Sequence, residues 1–215
     1  MITVLCYGDS NTYGYIPGGG RYPKRIRWPG RLAELLGNDY YVIEEGCCGR
    51  TTVYDPEESW KNGMRYLKPC LSSHIPVDIL ILMLGTNDLQ TCFSFTEPGI
   101  ACGVRCLIDI IMPFLFERQG FVPEIFLVAP PEIGEGITDS EFAAFFDSTS
   151  VSRSRLFGPS YADVAAEKAC HFWNAAQWVR PSPVDCLHLD EAGHAVVAEQ
   201  VAQQILALEK TISGR

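Results

Sequence analysis

Four short polar segments of this sequence carry residues that could act together in acyl transfer. They are GDSN at 8–11, CCGRTT at 47–52, GTND at 85–88 and DCLH at 185–188. A serine hydroxyl becomes a nucleophile when a neighbouring base takes its proton, and histidine is a common base. Because attack on an ester places negative charge on the carbonyl oxygen, such a site also needs preset hydrogen-bond donors. The four segments contain candidates for each of these roles.

Ser10 is the candidate nucleophile, His188 the candidate general base and Asp185 the candidate partner of the base. Asp185 precedes His188 by three residues, so in a turn the two side chains face the same way. The carboxylate would then hold the required tautomer of the imidazole and stabilise its charged form. The candidate oxyanion donors are the backbone N–H groups of Ser10 and Gly49 and the side-chain amide of Asn87.

Each segment alone also has a simpler structural interpretation. Asp9, Ser10 and Asn11 could cap the turn or helix that follows them, and GTND could be an ordinary turn. A single histidine such as His188 is more often structural than catalytic, and a structural role is our prediction for His194. The chemical interpretation therefore depends on the four segments occurring together, each at the expected place among the predicted strands and helices.

Apolar runs alternate with helical patterns along the chain. We predict strands at 2–7, 40–45, 78–85, 124–131 and 171–176, and helices at 28–37, 98–120 (bent or ended near Pro113), 161–170 and 190–210. This alternation indicates an α/β fold, in which a parallel sheet has helices on both faces. Because the carboxyl ends of parallel strands share one edge, the polar segments should meet there. Segment 131–160 does not fit the alternation, and its FAAFF at 142–146 is either a core-capping helix or a pocket wall.

Composition and charge limit the classes of function. The 215 residues fit one domain spanning 1–215, with 47% hydrophobic and 20% charged residues. A net charge of −9 without a basic cluster argues against nucleic-acid binding. We find no signal segment and no apolar run of ~20 residues, which predicts a cytoplasmic protein with no membrane partner. The nine cysteines lack a CxxC and the four histidines lack zinc-type spacing, which predicts reduced thiols and no metal or cofactor.

Taken together, the four segments resemble the sequence blocks of the SGNH hydrolases, also called GDSL esterases and lipases. The Ser, Gly, Asn and His of the family name fall on Ser10, Gly49, Asn87 and His188. The stretches RWPGRLAELLG, VIEEGCCGRTT and MLGTNDL resemble the arylesterase and acyltransferase branch. The resemblance covers nearly the whole chain. It implies a flavodoxin-like three-layer α/β/α sandwich with a five-stranded parallel sheet, a metal-free acyl-enzyme mechanism and a homo-oligomer.

We therefore predict a serine esterase that hydrolyses small-molecule esters with acetyl or other short acyl groups. The alternatives are an acyltransferase that passes the acyl group to an alcohol, and a binding module that uses the same crevice without catalysis. The family commonly has leucine and serine where this chain has Asn11 and Cys48, so Asn11 would make the pocket more polar and Cys48 would be a steric substitute. Candidate substrate-binding residues, chosen by position, are Asn11, Tyr15, Phe145, Phe146 and Leu187.

Overall fold

A five-stranded parallel sheet forms the centre of the molecule in the computed structural model, which describes residues 1–55 and 58–208. The strands are β1 (Ile2–Gly8), β2 (Tyr40–Gly46), β3 (Ile79–Met83), β4 (Glu124–Ala129) and β5 (His171–Asn174). They pair in the order β2-β1-β3-β4-β5. This order is that of flavodoxin-like folds, and it places a topological switch point beside β1. The predicted α/β fold with five parallel strands is confirmed.

Helices connect the strands. They are α1 (Ser10–Tyr13), α2 (Trp28–Leu36), α3 (Gly63–His74), α4 (Glu97–Gln119), α5 (Ser148–Ser154), α6 (Phe157–Lys168) and α7 (Glu191–Ala207), with 3-10 turns at Ser59–Lys61, Thr86–Leu89, Glu135–Asp139 and Ala175–Gln177. The predicted end of the long helix near Pro113 is wrong, since α4 continues through that residue. The last helix ends at Ala207, and residues 209–210 of its predicted range lie outside the described residues.

Side chains of the strands alternate between two apolar cores, one on each face of the sheet. Leu5 and Tyr7 of β1 pack in the core that α3, α4 and α6 cover. Val4 and Cys6 of the same strand point into the opposite core, which α2 and α7 cover. This period of two follows from the pleat of a strand. Burial on both faces explains why these strands are continuous apolar runs rather than alternating ones.

Helix α4 corrects the expectation that the chain has no apolar segment long enough to span a membrane. Its 23 residues make it long and apolar enough to cross a membrane by length and composition, with a mean hydropathy of 1.9 in its most apolar window. In the fold, Ile100, Val104, Leu107 and Ile111 of this helix are buried in the core beside the sheet. Its apolar residues therefore cover one face of the sheet.

Candidate active site

Ser10 lies in the turn that directly follows β1. Gly8 ends the strand, and the side chain of Asp9 accepts a hydrogen bond from the backbone N–H of Asn11 at 3.0 Å, which caps the one-turn helix α1. The turn packs closely against the end of β2, because a Cβ on Gly46 would stand 2.1 Å from the backbone nitrogen of Tyr13. The capping interpretation of GDSN and the placement of a reactive serine are thus two aspects of one turn.

Ser10, His188 and Asp185 form a continuous chain of hydrogen bonds. The Ser10 Oγ lies 2.9 Å from His188 Nε2, and His188 Nδ1 lies 2.7 Å from Asp185 Oδ2. All three residues are buried. This geometry places a base on the serine hydroxyl and a carboxylate on the far side of the base, as a serine nucleophile requires.

Asp185 is held as a carboxylate by the loop in which it lies. Burial by itself raises its pKa, but hydrogen bonds from the His188 ring and from the backbone N–H groups of His188 and Leu187 outweigh that effect and lower the pKa. The two backbone groups donate to Asp185 Oδ1 at 2.9 and 3.0 Å. The second oxygen, Oδ2, is left to orient the imidazole.

Two aromatic rings, those of Tyr15 and Phe142, pack against the imidazole of His188. The ring centroid of Tyr15 lies 4.3 Å from that of His188, and the centroid of Phe142 lies 5.2 Å from it. The sequence had not indicated Phe142 individually, although it belongs to the FAAFF segment. That segment forms a turn rather than a helix, and it supplies part of the pocket wall.

The candidate oxyanion donors face the same cavity as Ser10. Gly49 adopts a φ of 78°, a left-handed conformation that suits glycine. Within residues 1–55 and 58–208, the backbone N–H groups of Ser10 and Gly49 donate to no protein acceptor. Asn87 lines the cavity as well, and its Nδ2 donates to the backbone oxygen of Arg50 at 3.1 Å. Three donors are therefore available beside the nucleophile.

Replacing Asn87 with alanine is expected to lower kcat by about 10²–10³-fold, because loss of one oxyanion donor has that effect. KM should change little, since the contact strengthens in the transition state. Steady-state kinetics with 4-nitrophenyl acetate provide the measurement. The matched control is Asn38→Ala, an exposed asparagine in the turn before β2 that does not line the cavity. A raised KM with an unchanged kcat would make Asn87 a substrate-binding residue instead.

Arg50 is a buried positioning residue that the sequence had not indicated. Its Nη1 donates to the backbone oxygen of Gly8 at 2.9 Å and also to that of Glu45. Its guanidinium lies 4.2 Å from the ring centroid of Tyr7. Because its own backbone oxygen accepts from Asn87, Arg50 joins the turn of the nucleophile to the oxyanion segment.

The Arg50→Met variant is expected to lose up to about 10² in kcat, because a displacement near 1 Å in a catalytic site costs that much. It should also unfold more easily, because the backbone oxygens of Gly8 and Glu45 each lose one hydrogen bond. Kinetics and thermal unfolding together test both effects. Arg31→Met is the control, since Arg31 pairs with Glu199 on the far side of the sheet. Unchanged kcat in a folded Arg50→Met protein would remove the positioning role.

Asp88 carries a carboxyl group whose protonation couples to folding. Burial raises its pKa from 3.8 to about 7, although hydrogen bonds from the side chain and backbone of Thr52 work against the increase. The folded protein therefore holds this proton more tightly than the unfolded chain does. The contribution of Asp88 to the free energy of unfolding is fully present below pH 3.8 and is lost as the pH rises through about 7.

The free energy of unfolding of the Asp88→Asn variant should accordingly increase relative to that of the wild-type protein as the pH rises. The difference in free energy of unfolding between the two should change by a few kcal/mol, on the order that a shift of this size implies. Urea unfolding at pH 4.5 and pH 8 measures this difference, because asparagine does not titrate. A difference that is constant with pH would contradict the raised pKa.

The catalytic chain opens into a cavity of about 880 Å³. Of the predicted substrate-binding residues, Tyr15, Phe145, Phe146 and Leu187 line it. Phe145 is half exposed at the mouth, whereas Phe146 is buried and belongs also to the core. The side chains of Asp55, Glu58, Lys61 and Gln90 form a polar part of the same wall.

Asn11 was predicted as a substrate-binding residue, and the structure places it elsewhere. It is buried beneath the site, and its Oδ1 accepts a hydrogen bond from the backbone N–H of Leu189 at 2.9 Å. Its side chain therefore binds the loop that carries His188 and is not among the residues that line the cavity. A polar residue here satisfies a buried backbone group, which the position next to Ser10 could not reveal.

Cys48 does line the cavity, and its thiol stays protonated at neutral pH. Burial and the neighbouring Asp9 raise its pKa to about 11. A thiolate is the reactive form of cysteine. The structure thus gives Cys48 no feature of a second nucleophile. His194 is buried on α7, its Nδ1 accepts from the backbone N–H of Trp28 at 3.3 Å, and it is not among the residues that line the cavity.

The fold and the site together define an acyl hydrolase of the α/β class. The chain belongs to the GDSL-like lipase/acylhydrolase family, whose model matches residues 6–196. It is a carboxylic ester hydrolase, and the SGNH resemblance of its four segments is confirmed.

Solved structures of esterases superpose on nearly the whole chain. A carbohydrate acetylesterase from Sinorhizobium meliloti is 32% identical, with a TM-score of 0.91 over 97% of this chain and 100% of that one. A second carbohydrate acetylesterase family member from the same organism is 35% identical, with a TM-score of 0.88 over 100% of both chains. The M. smegmatis aryl esterase is 30% identical, with a TM-score of 0.89 over 97% of this chain and 100% of that one.

A curated relative matches over a shorter stretch. The acetylxylan esterase of Xylanibacter ruminicola is 31% identical over 93 residues, which are 40% of this chain and 17% of that protein. The two chains therefore share one region, and most of the larger protein has no counterpart in the match.

Proposed function

We propose that this esterase hydrolyses acetyl and other short-chain esters of carbohydrates through an acyl-enzyme on Ser10. The observation that carries the mechanism is the hydrogen-bonded chain from Ser10 Oγ through His188 to Asp185, with distances of 2.9 and 2.7 Å. This chain ends at the floor of a cavity large enough for a small ester.

Each residue of the chain has a defined part in the reaction. Ser10 Oγ attacks the ester carbonyl while its proton passes to His188 Nε2, and Asp185 stabilises the resulting imidazolium. The N–H groups of Ser10 and Gly49 and the Asn87 amide bind the oxyanion. His188 then protonates the leaving alcohol. A water molecule, deprotonated by His188, finally hydrolyses the acyl-enzyme.

The wall of the cavity supports a polar alcohol portion in the substrate. A volume of about 880 Å³ far exceeds the needs of an acetyl group, so most of it is available to the leaving alcohol. Phe142 and Phe145 contribute aromatic rings to the wall, and Asp55, Glu58 and Lys61 contribute charged, hydrogen-bonding groups. A sugar has both apolar C–H faces and hydroxyl groups, and it suits such a wall. The similarity to carbohydrate acetylesterases and to an acetylxylan esterase also supports an acetylated sugar as the substrate.

The shape of the cavity favours hydrolysis over transfer to an alcohol. Acyl transfer in water requires a site that keeps water from the acyl-enzyme. Here charged side chains line part of the wall, and the mouth is open at the half-exposed Phe145. Water can therefore reach the acyl-enzyme.

A panel of esters tests this proposal. Acetylated xylose and 4-nitrophenyl esters of increasing chain length should be compared by kcat/KM, each with and without an added alcohol. We expect acetyl esters to be the best substrates, with free acid as the main product in both conditions. A preference for long acyl chains would overturn the substrate proposal, and a predominance of transfer product would establish an acyltransferase.

A further inference from the structure

A second cluster of reactive side chains lies between the carboxyl end of β2 and one face of α3. It consists of Glu45, Cys70 and His74, whose carboxylate oxygen, thiol sulfur and imidazole nitrogen all lie within 4.8 Å of one another. Cys70 and His74 are four residues apart on α3 and so share a face. Glu45 faces them from β2, with its Oε1 2.8 Å from His74 Nε2. The cluster is separate from the residues that line the catalytic cavity.

We propose that Glu45, Cys70 and His74 bind a zinc-class divalent cation. Thiolate, imidazole and carboxylate are the three side-chain ligands of zinc, and a combination with sulfur excludes magnesium and calcium as preferred ions. Tetrahedral bonds of about 2.0–2.3 Å separate the ligand atoms by roughly 3.3–3.8 Å. The three ligand atoms here lie within 4.8 Å of one another, and His74 Nε2 lies 2.8 Å from Glu45 Oε1, so the present separations lie on both sides of the required range.

Accessibility and charge are both suitable for an ion. Cys70 is buried, whereas the side chains of His74 and Glu45 are 24% and 18% exposed, so the ion can enter and a water can complete the tetrahedron. Burial and the neighbouring Glu45 raise the pKa of the Cys70 thiol, so the ion must displace a firmly held proton. When the ion binds, a metal–sulfur bond forms, the S–H bond breaks and its proton passes to the buffer. A thiolate, a carboxylate and a neutral imidazole then balance the two charges of the cation, which limits the cost of burial. The guanidinium of Arg50 acts electrostatically on Cys70, so it favours the thiolate and opposes the cation.

The bound ion would stabilise the fold close to the oxyanion segment. It would attach α3 to the end of β2, directly before Gly46 and the segment that contains Gly49. The sequence shows no zinc-type spacing, because only two of the ligands share a helix and the third comes from a distant strand. The site lies outside the catalytic chain, so it takes no part in ester attack.

Titration of the chelator-treated, untagged protein tests the site. Calorimetry with Zn²⁺ should show one saturable equivalent, and zinc should raise the thermal midpoint, since an ion that binds only the folded state stabilises it. Co²⁺ should give the near-ultraviolet thiolate-to-cobalt absorption band that reports a Co–S bond. We expect Cys70→Ser to abolish the band and His74→Gln to abolish the zinc-dependent rise in midpoint.

Cys170→Ser and His171→Gln are the matched controls. His171 also pairs with a glutamate, Glu124, at 3.0 Å, but within residues 1–55 and 58–208 that pair belongs to no three-ligand cluster. Both controls should bind Zn²⁺ and Co²⁺ as the wild-type protein does. If Cys70→Ser does not fold, His74→Gln decides alone, because its position is partly exposed. Absence of saturable binding to the wild-type protein, or binding that survives in His74→Gln, would overturn the proposal.

Discussion

The Ser10→Ala variant is expected to retain its fold and lose ester hydrolysis, with kcat lower by about 10⁶-fold, as for other enzymes deprived of a nucleophilic serine. The Ser10 Oγ is the atom that lies 2.9 Å from the base, and alanine supplies no replacement for it. The fold should persist because the cap of α1 is made by the side chain of Asp9 and not by Ser10. Hydrolysis of 4-nitrophenyl acetate, with circular dichroism as the check on folding, measures both parts of the prediction.

A fluorophosphonate probe gives an independent readout of the same residue. The wild-type protein should be labelled at Ser10, and Ser10→Ala should not be labelled. Ser73→Ala is the control, because Ser73 is an exposed serine on α3 whose hydroxyl only bonds the backbone of its own helix. Turnover retained by Ser10→Ala would remove the nucleophile assignment. An unlabelled wild-type protein, beside labelled active relatives, would do the same.

Replacing Asp185 with asparagine is expected to reduce kcat by about 10⁴-fold. The side-chain oxygen of the asparagine can still accept hydrogen bonds from the backbone N–H groups of Leu187 and His188, so the loop keeps its shape. Its NH₂ group then faces His188 Nδ1, which forces that nitrogen to become an acceptor. The ring proton moves to Nε2 and points at Ser10. Nε2 then cannot accept the proton of the serine hydroxyl.

Asp190→Asn is the matched control for this variant. Asp190 is a nearby acid that caps α7 by accepting from the backbone N–H of Gly193, and it makes no contact with the base. We expect its kcat to remain within a few-fold of the wild-type value. An Asp185→Asn enzyme with near wild-type kcat would show that His188 needs no partner to act as the base.

The sequence predicted the parts of this structure that depend on local patterns. The predicted strand at 78–85 contains β3 (Ile79–Met83), whose residues are all buried, and its short length and the glycine at its end favoured a strand over a buried helix. The polar segments could be assigned to one edge because parallel strands end at the same side. Ser10, Asp185 and His188 follow from that placement, which the structure brings together within hydrogen-bonding distance.

The parts that depend on distant contacts could not be predicted. Helix α3 contains Pro69 and α4 contains Pro113, and burial of their apolar faces outweighs the hydrogen bond that each proline removes. Arg50 acts through backbone oxygens of other segments, so no motif marks it. Phe142 reaches His188 from a segment without a regular period. The homo-oligomer, the cytoplasmic location and the absence of nucleic-acid or membrane partners stay predictions.

The hydrogen bond between Asn11 and Leu189 has a consequence for the order in which this enzyme matures. It joins residues 178 positions apart in the chain, the same separation that divides Ser10 from His188. Contacts this distant form late, since the chain must first lose the entropy of closing a long loop. During refolding, the early strands can pair while no ester is yet cleaved. Recovery of turnover should therefore be slower than recovery of secondary structure. The return of turnover would then mark the docking of the last strand and helix.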